Sequence, residues 1–108
     1  MPKYLVRGNY TAEGLKGLMK DGGSGRKAAV TKAVESLGGK VEAFYFALGD
    51  HDVYVLAELP DAVAATTIAL TAVASGAVTL NTIPLLTPED VDAAIKKTVS
   101  YRSPGQQG

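Results

Sequence analysis

The chain has no cysteine. Disulfide staples, thiolate nucleophiles and cysteine-ligated metal centres are therefore excluded. Histidine is nearly as scarce, with His51 alone, so one copy cannot supply the multi-histidine set of a catalytic zinc site. No metal and no cofactor are expected. An excess of either charge is also missing, because 11 basic and 11 acidic side chains cancel. Without a basic field, no nucleic-acid partner is expected. No uninterrupted apolar run is long enough to span a bilayer, and Met1–Arg7 lacks the apolar core of a signal peptide. The expectation is a protein with no membrane partner and a cytoplasmic location.

What is present fits one domain. The 108 residues are enough for a single core but not for two. Residues 1–100 read as the domain. Residues 101–108 have no apolar periodicity and read as a flexible tail, loosely held or packed on a neighbour.

Lys3 to Tyr10 reads as a first strand, rich in Tyr4, Leu5 and Val6. Thr11 is placed to cap a helix in which Leu15, Leu18 and Met19 recur at helical spacing. Asp21-Gly22-Gly23-Ser24-Gly25 interrupts it, since each glycine costs about 1 kcal/mol relative to alanine. A second helical stretch restarts near Arg26 with the stripe Val30, Ala33, Val34, Leu37, and Gly38-Gly39 ends it. Lys40 to Leu48 and Asp52 to Leu59 read as two strands joined by a short turn, hence an antiparallel hairpin. Asp61 caps an alanine-rich helix with Ala65, Ile68, Ala69 and Ala72 on one face, closed by Gly76. Ala77 to Leu86 reads as a fourth strand, with Pro84 suggesting an edge or a strand end. Thr87-Pro88-Glu89-Asp90 opens a last helix.

The order is β-α-β-β-α-β plus a C-terminal helix, an α+β fold of ferredoxin-like type. Alternation along the central hairpin places Val41, Ala43, Tyr45 and Ala47 on one face, with Phe44, Phe46 and Leu48 on the other. Two helices cover one face only. The other would stay exposed in a monomer, so the sheets of two copies are expected to pair into a dimeric α+β barrel.

Gly49-Asp50-His51-Asp52-Val53-Tyr54-Val55, preceded by Phe44-Tyr45-Phe46 and followed by Leu59-Pro60-Asp61, resembles the signature of the GYD domain family. Gly49 and Asp52 match that motif, while His51 fills the usual tyrosine position. Gly38-Gly39 and Leu86-Thr87-Pro88-Glu89 also resemble members, so the likeness covers roughly residues 3–100. It implies the dimeric α+β barrel but no particular reaction. Related barrels include cofactor-free monooxygenases, isomerases, haem proteins and amino-acid-sensing effector domains; carrying over any of those roles is analogy at the level of fold.

Three stretches carry candidate chemistry. His51 between Asp50 and Asp52 has the groups of a general acid–base pair, with His51 and Asp52 as its catalytic members. The simpler alternative is a polar turn whose aspartates accept backbone hydrogen bonds. Arg7, Tyr45, Asp50 and Tyr54 are candidate ligand-binding residues, Arg7 because a guanidinium suits a carboxylate. The tyrosines serve equally well as core or interface residues. Gly22 to Lys27 places glycines before two cations, as in an anion-contacting loop, but lacks the Walker A spacing; its plainer role is a break in the helix. The function expected first is a homo-oligomeric small-molecule-binding or structural module. The alternative is a small cofactor-independent enzyme, an isomerase or monooxygenase, using His51 with a neighbouring aspartate.

Overall fold

Strands form where β-branched and aromatic residues alternate with polar ones, and helices form where small and aliphatic residues follow a capping side chain. In a computed structural model describing residues 1–107 the elements are β1 (Lys3–Tyr10), α1 (Ala12–Ser36), β2 (Lys40–Phe46), β3 (Val53–Glu58), α2 (Ala62–Ala74), β4 (Val78–Pro84) and α3 (Pro88–Ile95). Gly108, the last residue of the expected tail, lies outside the described residues. The sheet is antiparallel throughout, in the order β2-β3-β1-β4. This is the ferredoxin-like order, with one added helix.

The helix starts follow from local side chains. Thr11 accepts from the Gly14 N–H at 3.2 Å and donates to the Gly76 carbonyl at 2.7 Å, tying the start of α1 to the end of α2. Asp61 accepts from the Ala64 N–H at 2.9 Å. Thr87 and Asp90 close a reciprocal capping box, each at 3.0 Å from the other's backbone N–H.

The glycine-rich break is narrower than its composition suggests. Only Gly22 leaves helical geometry, at φ 76° and ψ 164°. This backbone conformation suits glycine because a Cβ is strongly disfavoured there. Helical geometry then resumes at Gly23 rather than near Arg26, so α1 is one long helix with a single kink.

The core is one apolar cluster of Tyr4, Val34, Val53, Val55, Ala57, Leu59, Ala64 and Ala65. Leu59 is the largest fully buried side chain, at 2% exposure. Burying such a side chain stabilises by about 1.5–3 kcal/mol. α1 and α2 both lie over the sheet face that carries Tyr4, Val53, Val55 and Ala57.

Two expectations for the hairpin are corrected. The register shifts by one residue between Val41 and Ala43, so Val41 stands opposite Ala57 while Ala43 stands opposite Leu56. This bulge reverses the alternation. Val41 joins Phe44 against the core, and Ala43 and Tyr45 turn to the opposite face. β2 also stops at Phe46 rather than Leu48. The Ala47 N–H donates to the Asp52 carbonyl at 2.8 Å and closes the turn there. Leu48 is left fully exposed at the tip.

The C-terminal segment packs little on the rest of the chain. No residue of α3 is buried, and Leu86, Val91, Ile95, Val99 and Tyr101 are all exposed. The molecule measures 59 × 31 × 23 Å with a radius of gyration of 17.6 Å, against about 13 Å for a compact chain of this length. No helix among the described residues is long and apolar enough to cross a membrane.

Candidate functional site

The uncovered face of the sheet is amphipathic rather than uniformly apolar. Its residues pair across strands in rows. Ala43, Leu56, Leu5 and Ile83 form an apolar band across all four strands. On one side runs a charged row of Lys40, Glu58 and Lys3. Lys3 Nζ donates to Glu42 Oε2 at 3.1 Å and lies 2.9 Å from Oε1. That hydrogen bond, aided by the charge attraction, raises the Lys3 pKa and lowers that of Glu42. On the other side runs a polar row of Tyr45, Tyr54, Arg7 and Asn81, again one residue per strand.

Three expected ligand-binding residues, Arg7, Tyr45 and Tyr54, therefore stand side by side. Their adjacency depends on β1 pairing between β3 and β4. His51 joins this row, its ring edge-on to Tyr54 with centroids 6.0 Å apart and planes at 88°. The Nε of Arg7 and the Nδ1 of His51 are buried without a hydrogen-bond partner among the described residues. Asp50 is exposed at the turn.

Asp52 is engaged elsewhere. Its Oδ2 accepts from the Tyr10 N–H at 2.9 Å. Its own N–H donates to the Gly8 carbonyl at 2.8 Å and to Asn9 Oδ1 at 3.1 Å. Asp52 and Asn9 thus fasten the end of the hairpin to the end of β1. Among the described residues the ion pairs join Lys3 to Glu42, Lys16 to Glu13 and Arg26 to Asp21, and none includes His51. The arrangement on this face is a half-buried guanidinium with two phenols and an imidazole.

A second site lies on the covered face, and sequence reasoning did not assign it. α1 packs on β1 and β2 while α2 packs on β4. The gap between them leaves an apolar cavity of about 100 Å³ over the centre of the sheet, with Val30, Val55, Ile68 and Leu80 among its walls. Arg26 is its single charged lining residue. The cavity continues into an outer cleft of about 470 Å³, which shares Tyr10, Arg26 and Val30 with it and carries Glu13 and Asp21. Gly17 and Ala33 on α1 and Ala72 on α2 line this cleft with little side chain, and a Cβ on Gly17 would meet nothing within 4 Å. Among the sequence signals, the pair of cations after Gly25 lies at this cavity through Arg26, although the plainer reading of that stretch is a break in the helix.

No curated protein and no solved structure matches the chain. The family model of the GYD domain matches residues 4–95, from Tyr4 in β1 to Ile95 at the end of α3, and the chain therefore belongs to the GYD domain family.

Proposed function

We propose that this chain is a homo-oligomeric binding protein. Two copies pair through their uncovered sheet faces, and each copy takes a small apolar molecule into the cleft between α1, α2 and the sheet. The observation that carries the binding role is the cleft itself. Protein interiors are normally close-packed, yet here an apolar cavity opens under two separated helices and continues to the surface. Ligand sites have this character: concave, mostly apolar, with few polar groups.

Two features support pairing. The uncovered face carries the apolar band of Ala43, Leu56, Leu5 and Ile83. Finally, the projecting segment exposes Leu86, Val91, Ile95, Val99 and Tyr101, which is apolar surface suited to a second copy. Sedimentation velocity at micromolar concentration tests this part. A dimer or larger assembly is expected, and a stable monomer refutes it. Native mass spectrometry on protein purified without added ligand tests the binding role, through a stoichiometric extra mass on the assembly.

A second reading, a cofactor-independent isomerase or monooxygenase acting through His51, draws on one observation: the unpartnered His51 Nδ1 beside Tyr54 and in the same polar cluster as Arg7. On that reading the imidazole NMR signals of His51 move when a substrate binds. Signals unmoved at saturation remove it.

A further inference from the structure

We infer that the cleft selects an apolar anion, a carboxylate with an aliphatic or aromatic body, and that Arg26 determines this specificity. The inference rests on the reading of the cleft as a binding site and names the chemical class of its ligand. The inner cavity is walled by aliphatic side chains, with Phe44 at one side and Arg26 as the only charge. An apolar body is driven into such walls by the area it removes from water. The cation then decides between ligands of equal apolar size.

The kink at Gly22 positions that cation. Asp21 closes the first helical segment of α1, and Arg26 sits one turn into the second. Both line the outer cleft, and Arg26 also lines the inner cavity. The Arg26 side chain is 32% exposed and Asp21 47% exposed, and their closest approach is 3.7 Å. That is an ion pair too long for a good hydrogen bond. The guanidinium fork, which matches a carboxylate through two parallel bonds, is therefore only loosely held by Asp21. A ligand carboxylate takes the place of Asp21 on the fork while its body fills the cavity behind. A cationic ligand would meet Arg26 as it entered the inner cavity, since Glu13 and Asp21 line the outer cleft only.

The test uses a matched pair of probes, octanoate and 1-octanol, titrated at neutral pH into the full chain and followed by ¹⁵N–¹H NMR. Octanoate is expected to move the amides of Val30, Val55, Ala65 and Leu80 and to bind about tenfold or more tightly than octanol, the scale of a hydrogen-bonded charge. Arg26→Gln brings octanoate to the level of octanol and leaves octanol unchanged. Asp21→Asn removes the competing carboxylate and tightens octanoate. Retained dispersion of the amide signals verifies that each variant folds. Equal affinity of the two probes, or octanoate binding indifferent to Arg26→Gln, overturns the anion class while leaving the apolar site in place. A third variant, Ala72→Phe, fills the gap between the helices and is expected to abolish both probes. If neither probe moves the cleft amides of the native chain, or if Ala72→Phe binds both unchanged, the binding role itself fails, and the inference with it.

Discussion

Replacing Asp52 separates a structural carboxylate from a catalytic one. Its Oδ2 accepts from the Tyr10 N–H at 2.9 Å in a partly buried setting. A hydrogen bond to a charged group contributes about 1.5–3 kcal/mol. The partial exposure favours the lower part of that range, about 2 kcal/mol for Asp52→Ala. With an unfolding entropy of about 2.1 cal/mol/K per residue over 108 residues, that is a fall in Tm of roughly 9 °C. Asp52→Asn keeps an acceptor oxygen at the same place and should lose only about 1 kcal/mol. Asn9→Ala should lose less again, about 0.5 kcal/mol, because the Asp52 N–H still donates to the Gly8 carbonyl. Thermal unfolding followed by far-ultraviolet circular dichroism gives the order, with protein concentration held constant because association shifts Tm by mass action. An Asp52→Ala protein melting within about 2 °C of the native chain would show that the carboxylate does not fasten the hairpin, and the argument for its structural role would be wrong.

Other expectations follow from the same geometry. Leu59→Ala, at the most deeply buried large side chain, should cost about 3 kcal/mol in urea denaturation. The glycine cluster should split by sign. Gly22→Ala is destabilising by about 1–3 kcal/mol because its positive φ with extended ψ is essentially glycine-only, whereas Gly25→Ala, in helical geometry, is stabilising by about 0.5 kcal/mol. The Lys3–Glu42 pair sets a pH window. The lowered Glu42 pKa stabilises the fold above the ordinary carboxylate range, and this is lost as pH falls through its folded value. The raised Lys3 pKa stabilises below the ordinary lysine value, and this is lost as pH rises through its folded value. Denaturation curves of the native chain and Glu42→Gln should therefore differ at neutral pH and converge in acid and in strong alkali.

What was legible in the sequence was what is decided locally. Thr11, Asp61 and Thr87 each bond a backbone N–H within three residues, so their capping roles were open to inspection from spacing alone. The element order followed from the caps and breakers. What escaped depends on partners distant in the chain. The bulge near Glu42 is a mismatch between β2 and β3, and nothing in the alternation of β2 alone reveals an extra residue. Tyr54 and Arg7 were each legible as polar strand residues, but their contact depends on strand order. Asp52 and His51 are adjacent in sequence, yet Asp52 bonds the Tyr10 backbone while His51 turns to Tyr54. The cleft was least legible of all, since its walls come from two helices and the sheet, with Gly17, Ala33 and Ala72 far apart in the chain.

The bulge in β2 has a bearing on solubility. β2 is an outer strand of the sheet, and Phe44-Tyr45-Phe46-Ala47-Leu48 is an uncharged, strand-forming run without proline, the type of segment that templates fibril growth. A straight edge of that composition would recruit copies of itself by backbone pairing. The extra residue, Glu42, interrupts the regular spacing of the strand's free N–H and C=O groups just before the run and puts a charge there. Deleting Glu42 would restore a regular ladder and remove a charge in one step, leaving a protein whose native state is a better seed for its own fibrils.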